Sequence, residues 1–192
     1  IEAGPAGAAA RVLPDAAQAQ AAIEALEQEH RQVRATLEKS IQSSGAPQPG
    51  STRPRTGVAA LPAAYETGID YTPYRRAYTE QQRLMDLKIA PLRDHVRQAM
   101  AEASPALQQL ATLDAALDQM LSARASRLWL AGPQLMARRF EQLRKGGAEP
   151  ETWLDDFGRE MQQTQLAELD ARLQPVLGLI ETFSTEVKKN YA

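Results

Sequence analysis

The amino-acid sequence predicts an all-α protein, on three observations. Ala, Leu, Gln, Glu and Arg dominate the 192 residues, Ala alone supplying about one in six, and these side chains lose little freedom in a helix. No run of Val, Ile, Thr or Tyr alternates with period two as a strand would. Apolar residues instead recur at three- and four-residue spacings between proline and glycine punctuation. The predicted architecture is an elongated antiparallel three-helix bundle preceded by a tethered, coiled-coil-like N-terminal helix.

Residues 1–14 are rich in Ala, Gly and Pro and are expected to be irregular. Asp15 offers an N-cap, and an amphipathic helix is predicted over 15–43. Its seam is a heptad, with Ala16, Ile23, His30 and Leu37 at one position and Ala19, Leu26, Val33 and Ser40 at the other. Two seam positions per heptad mark a coiled coil rather than a broad core face. Ile23, Leu26, His30, Val33 and Leu37 are therefore the candidate residues for association with a protein partner or a second copy. Residues 44–72, opening Ser44-Gly45-Ala46-Pro47-Gln48-Pro49-Gly50, have the composition of a flexible linker. A loop that long implies a domain boundary.

The bundle is predicted over 73–189. Thr72-Pro73 reads as an N-cap followed by proline at the first helical position, and Ser104-Pro105 repeats the signal. The first helix presents Tyr74, Tyr78, Met85, Ile89, Leu92 and Val96. The second carries Leu107, Leu110, Leu113, Leu117, Met120 and Leu128, is interrupted at Gly132-Pro133, and continues through Leu135, Met136, Phe140 and Leu143 to Gly146-Gly147. The third starts at Pro150, carries Trp153, Phe157, Met161, Leu169 and Phe183, and ends near Lys188-Lys189. Reflecting positions about the two turns puts Pro91 and Pro175 at one height, near Asp118 and Leu121, which predicts a coincident bend. The same count sets Phe140 beside Trp153 and Phe157, with Tyr71, Tyr74 and Tyr78 at that end. Such an aromatic cluster is read as packing.

Chemistry is sparse. The absence of Cys excludes disulfides, thiolate nucleophiles and Cys-ligated metals, and no apolar run approaches the roughly 18 residues of a membrane helix. The chain opens at Ile1 rather than Met, so a fragment is expected. Glu27-x-x-His30 has di-iron spacing, but such a site needs a second motif and two further glutamates, while the chain holds only His30 and His95. His30 is better read as a polar register-setter in the seam, with pH-sensitive association as the alternative. No nucleophile–base signature or phosphate loop is present. No catalytic residue, cofactor or metal is expected, and the chain is read as a non-enzyme. The net charge of −2 hides an asymmetry: residues 73–145 carry 12 basic and 7 acidic groups, and residues 146–192 carry 4 and 9. Arg75, Arg76, Arg138, Arg139, Arg144 and Lys145 fall toward one end of the rod as a candidate anion-binding set. Pairing with Asp155, Asp156 and Glu160 at that end is the favoured reading.

Several runs carry a resemblance: Tyr71-Thr72-Pro73-Tyr74-Arg75-Arg76, Ile89-Ala90-Pro91-Leu92-Arg93, Ser104-Pro105-Ala106-Leu107, Leu113-Asp114-Ala115, Arg138-Arg139-Phe140-Glu141 and the segment Ala167 to Leu179. Over 65–185, and more loosely over 15–42, the chain resembles a bacterial all-helical family of unknown function. Its genes neighbour those of MotA/MotB-like and OmpA-like membrane proteins, as in Zorya-type phage-defence systems. The family's aromatic-rich opening segment is absent here, consistent with truncation. The resemblance implies a cytoplasmic accessory subunit of a membrane-anchored complex, and carries over no catalytic residue. The expected function is a non-enzymatic scaffold or adaptor for protein–protein assembly. The alternative is nucleic-acid or anionic-surface binding through the basic end.

Overall fold

A computed structural model describes residues 16–44, 70–146 and 150–191. They form four helices: α1 (Ala16–Ser43), α2 (Thr72–Ala103), α3 (Pro105–Lys145) and α4 (Pro150–Tyr191). The expected irregular segment 1–14 and nearly all of the expected linker lie outside the described residues.

Side-chain chemistry sets the helix ends. The Ser104 hydroxyl accepts the Leu107 backbone N–H at 3.2 Å, and Pro105 follows where no N–H is needed. At α2 the expected cap is displaced. Thr72 is the first helical residue, and its N–H donates to the Asp70 carboxylate at 3.2 Å. Gly146 closes α3 with its N–H on the Leu143 carbonyl.

α2 and α4 touch along the centre, while α1 and α3 each pack against both of them from opposite sides and share no contact. The tethered-helix expectation is thereby corrected. Ala19, Ile23, Leu26, Leu37 and Ile41 of α1 join one apolar core with Met85, Leu92, Val96 and Met100 of α2 and Leu169, Leu173, Val176 and Phe183 of α4. Ile23, Leu26 and Leu37 are buried within the chain, His30 with them, and Val33 is half-buried against the same cluster. The seam is apolar, as its heptad predicts. Its partner is the chain's own α2–α4 surface, which offered enough apolar area to cover it.

At the opposite end, Tyr74 and Tyr78 of α2, Met136 and Phe140 of α3, and Trp153, Phe157 and Met161 of α4 form a second cluster. Phe140 lies 5.1 Å from Trp153 and 5.2 Å from Phe157, both edge-on, and 5.5 Å from Tyr71 and Tyr74. This is the aromatic cluster that antiparallel counting predicts. Two cores thus stack end to end on the shared pair α2 and α4: one holds α1 together with Leu107 and Ala111 from the start of α3, and the other is completed by the C-terminal part of α3.

Pro91, Pro133 and Pro175 all lie within unbroken helices, so Gly132-Pro133 does not interrupt α3. A cavity of about 220 Å³, bordered by Ala90, Asp118 and Pro175, puts Pro91 and Pro175 at one level beside Asp118, as the counting expects. Pro133 has no N–H to give to the Trp129 carbonyl one turn back. The Gln82 amide of α2 donates to that carbonyl at 2.8 Å, and the Tyr71 hydroxyl donates to the Pro133 carbonyl at 2.6 Å. A Cβ on Gly132 would stand 2.6 Å from the Tyr78 hydroxyl oxygen. Gly132→Ala is therefore expected to displace Tyr78 and destabilise the fold by about 1–3 kcal/mol. An unchanged urea midpoint would contradict this.

Candidate interaction face

Between the two cores the packing turns polar, and this determines what α3 can do. Glu168 of α4 is buried and accepts from three residues: the Tyr78 hydroxyl at 3.0 Å, the Gln82 amide at 2.9 Å, and Arg172 through Nε at 2.9 Å and Nη2 at 2.6 Å. The Arg172 side chain is 7% exposed; it also pairs with Asp86 and stacks 4.6 Å from the Trp129 ring centroid. Burial pushes the Tyr78 phenol well above its ordinary range, and Glu168 adds to the shift. Burial likewise raises Tyr71, to about 12. Both phenols stay neutral donors at physiological pH.

The middle of α3 is clamped by charge. Arg93 grips Asp114 with two bonds, at 2.9 Å and 2.6 Å, and reaches Asp118 at 2.7 Å. Arg97 bonds Asp114 at 2.8 Å and Asp118 at 3.0 Å. Burial alone would push the Asp114 carboxyl up, but the two guanidiniums overcome it and hold the carboxyl below its usual range.

The inward positions of central α3 are thus Asp114, Asp118, Ala125 and Trp129, and from Thr112 to Gly132 no side chain of α3 is fully buried. Leu113, Leu117, Met120, Leu121, Leu128 and Leu135 are 42–69% exposed. Five of these belong to the expected bundle core but face outward in the folded chain. With α1 on the far side, no other described helix covers them. At 3.6 residues per turn the six share an arc about 100° wide, running about 33 Å along the helix. A stripe of this size exceeds the singly scattered apolar residues of an ordinary surface.

The remaining expected sites fare differently. Arg139 of the basic set is bound to Glu160 by bonds of 2.7 Å and 2.6 Å, and Arg144 to Glu141 at 2.7 Å. The Arg139 hydrogen bond in turn lowers the Glu160 carboxyl. Arg75, Arg76, Arg138 and Lys145 are exposed and form no ion pair among the described residues. His30 borders a groove between α1 and α4, alongside Glu27, Arg31, Glu181 and Lys188. Its Nε2 is buried without a hydrogen-bond partner. Burial lowers its imidazole below 6.5, and Arg34 and Arg31 lower it further. Among the described residues no three His, Asp or Glu side chains gather where a metal could be held.

The His30 environment gives a pH dependence of defined sign. The folded chain holds the imidazole neutral to lower pH than the unfolded chain, which protonates it below about 6.5. Stability is complete above that value and falls as the solution is acidified. His30→Leu is expected to remove that part of the acid slope in urea midpoints, and identical slopes for the two proteins would contradict the assignment.

Sequence reasoning missed the Glu168 hub and the free α3 stripe. The hub left a signal: counting sets Gln82 near Ser126 and Tyr78 near Leu130, beside the carbonyl that Pro133 frees. For the stripe, periodicity shows that a face is apolar but not what covers it.

Among the described residues no helix is long and apolar enough to cross a membrane. A family model described as a protein of unknown function, DUF3348, matches residues 6–185. No curated protein and no solved structure matches the chain.

Proposed function

We propose, for a chain that belongs to the DUF3348 family, the role of a non-enzymatic helical scaffold that docks a helix of a partner protein along the outer face of α3. One observation carries this reading: the uncovered stripe from Leu113 to Leu135 on a helix whose inner face is already fastened by Arg93, Arg97, Asp114 and Asp118. The fastening holds the stripe in place whether or not it is occupied. That rigidity lowers the ordering cost of binding. The proposed interaction surface thereby moves from the α1 seam to α3. The sequence resemblance supports a membrane-anchored, MotA/MotB-like assembly as the setting, with this chain on the cytoplasmic side.

The test is Leu117→Asp/Leu121→Asp. Both side chains are exposed, so the melting temperature is expected to stay within the small range typical of surface substitutions. A tagged chain carrying the pair, purified from its native host, is expected to elute free of the assembly that holds the unaltered chain. Equal retention of both proteins in the same assembly would overturn the reading.

The alternative, anion binding through the basic end, draws on Arg75, Arg76, Arg138 and Lys145. Salt-sensitive nucleic-acid binding lost in Arg138→Glu/Arg139→Glu would favour it.

A further inference from the structure

Resting on the α3 reading above, we infer that the docked partner segment is an amphipathic helix whose apolar seam is flanked by acidic residues. The charges around the stripe carry the inference. Asp114 and Asp118 are the only acids between Thr112 and Ala137 of α3, and both are turned to Arg93 and Arg97. Arg124 lies within the arc of the stripe and Arg127 at its edge. Both are exposed and form no ion pair among the described residues. The face therefore combines leucine side chains with uncompensated positive charge. A partner carrying carboxylates beside its seam would match that field, and one carrying lysines would be repelled.

The dimensions fit one helix. An arc of about 100° is a seam's width, and exposed Ala116 and Ala123 border it, small enough for a second axis to approach within about 8–10 Å. A second copy of this chain fits less well. The stripe is symmetric about Arg124, so antiparallel pairing that sets Leu113 on Leu135 and Met120 on Leu128 would also press Arg124 against its own symmetry mate.

Two designed peptides with identical leucine seams, one flanked by Glu and one by Lys, provide the probe. The full chain is titrated with each labelled peptide by fluorescence anisotropy at low and at physiological salt. The Glu-flanked peptide is expected to bind at least about tenfold tighter, with the margin shrinking in salt. Arg124→Glu/Arg127→Glu is expected to reverse the order, and Leu117→Asp/Leu121→Asp to abolish binding of both. Equal binding of the two peptides would overturn the acidic preference while leaving the face as a docking site. Binding of neither peptide, together with assembly retention unaffected by the leucine substitutions, would remove the face itself. Two further results would replace the acidic helix with another occupant: Leu117-dependent dimerisation in sedimentation equilibrium, or Leu117-dependent flotation with phosphatidylglycerol vesicles but not with phosphatidylcholine ones.

Discussion

Glu168→Ala is expected to lower the free energy of unfolding by about 3–5 kcal/mol, the usual cost of removing one member of a buried ion pair. The substitution leaves the Arg172 guanidinium, almost fully enclosed, with Asp86 as its remaining ion-pair partner on a side chain that is 70% exposed. It also strips the Tyr78 hydroxyl and the Gln82 amide of their acceptor on α4. Gln82 retains the Trp129 carbonyl, so part of the α2–α3 junction survives. Glu168→Gln is expected to fall between the two, because an amide oxygen still accepts hydrogen bonds while the charge on Arg172 is left to the exposed Asp86 alone. Urea denaturation of the three proteins measures this ordering. A Glu168→Ala midpoint equal to that of the unaltered chain would show that the polar layer does not join the cores.

Phe140→Ala is expected to cost about 3–5 kcal/mol. The ring is completely buried and meets Tyr71, Tyr74, Trp153 and Phe157, all four in tilted or edge-on arrangements within 5.5 Å. Its removal leaves a cavity at the meeting point of α2, α3 and α4. The cluster is the chief apolar anchor of α3, whose other fully buried side chains at this end are Pro133 and Met136. Loss of the ring is thus expected to loosen the C-terminal part of α3 before the α1-containing core melts. Near-ultraviolet circular dichroism should lose the signal of Trp153 at temperatures where the far-ultraviolet helix signal persists. Coincident loss of both signals would show instead that the two cores melt as one.

Much of this fold was legible because helical proteins obey simple counting. The Ser104-Pro105 start followed from capping chemistry. The union of Phe140 with Trp153 and Phe157, and the shared level of Pro91 and Pro175, followed from reflecting residues about two short turns. The same reflection places Arg93 opposite Ala115, next to the Asp114 it grips. What stayed hidden has a physical reason in each case. Glu168 sits in a run, Ala167-Glu168-Leu169-Asp170-Ala171-Arg172, that reads like any solvated helix face; only the third dimension brings Tyr78 and Gln82 onto it. The α1 seam looked like a free coiled-coil edge because the long segment after Ser44 conceals which surface it reaches. Leu113, Leu117, Met120, Leu128 and Leu135 have the spacing of core residues, and covering them would have required α1 on the α3 side of the α2–α4 pair. The bundle places α1 on the other side.

That placement makes the uncovered α3 stripe the protein's candidate interaction surface, and a photo-crosslinking scan in the native host tests it most directly. A photoreactive residue placed singly at each exposed position from Leu113 to Leu135 is expected to capture one defined partner segment from positions 113, 117, 120, 121, 128 and 135, and not from Gln119, Ser122 or Ser126 on the adjoining face. Crosslinks spread evenly around α3, or none above those of an exposed control such as Gln109, would contradict the account.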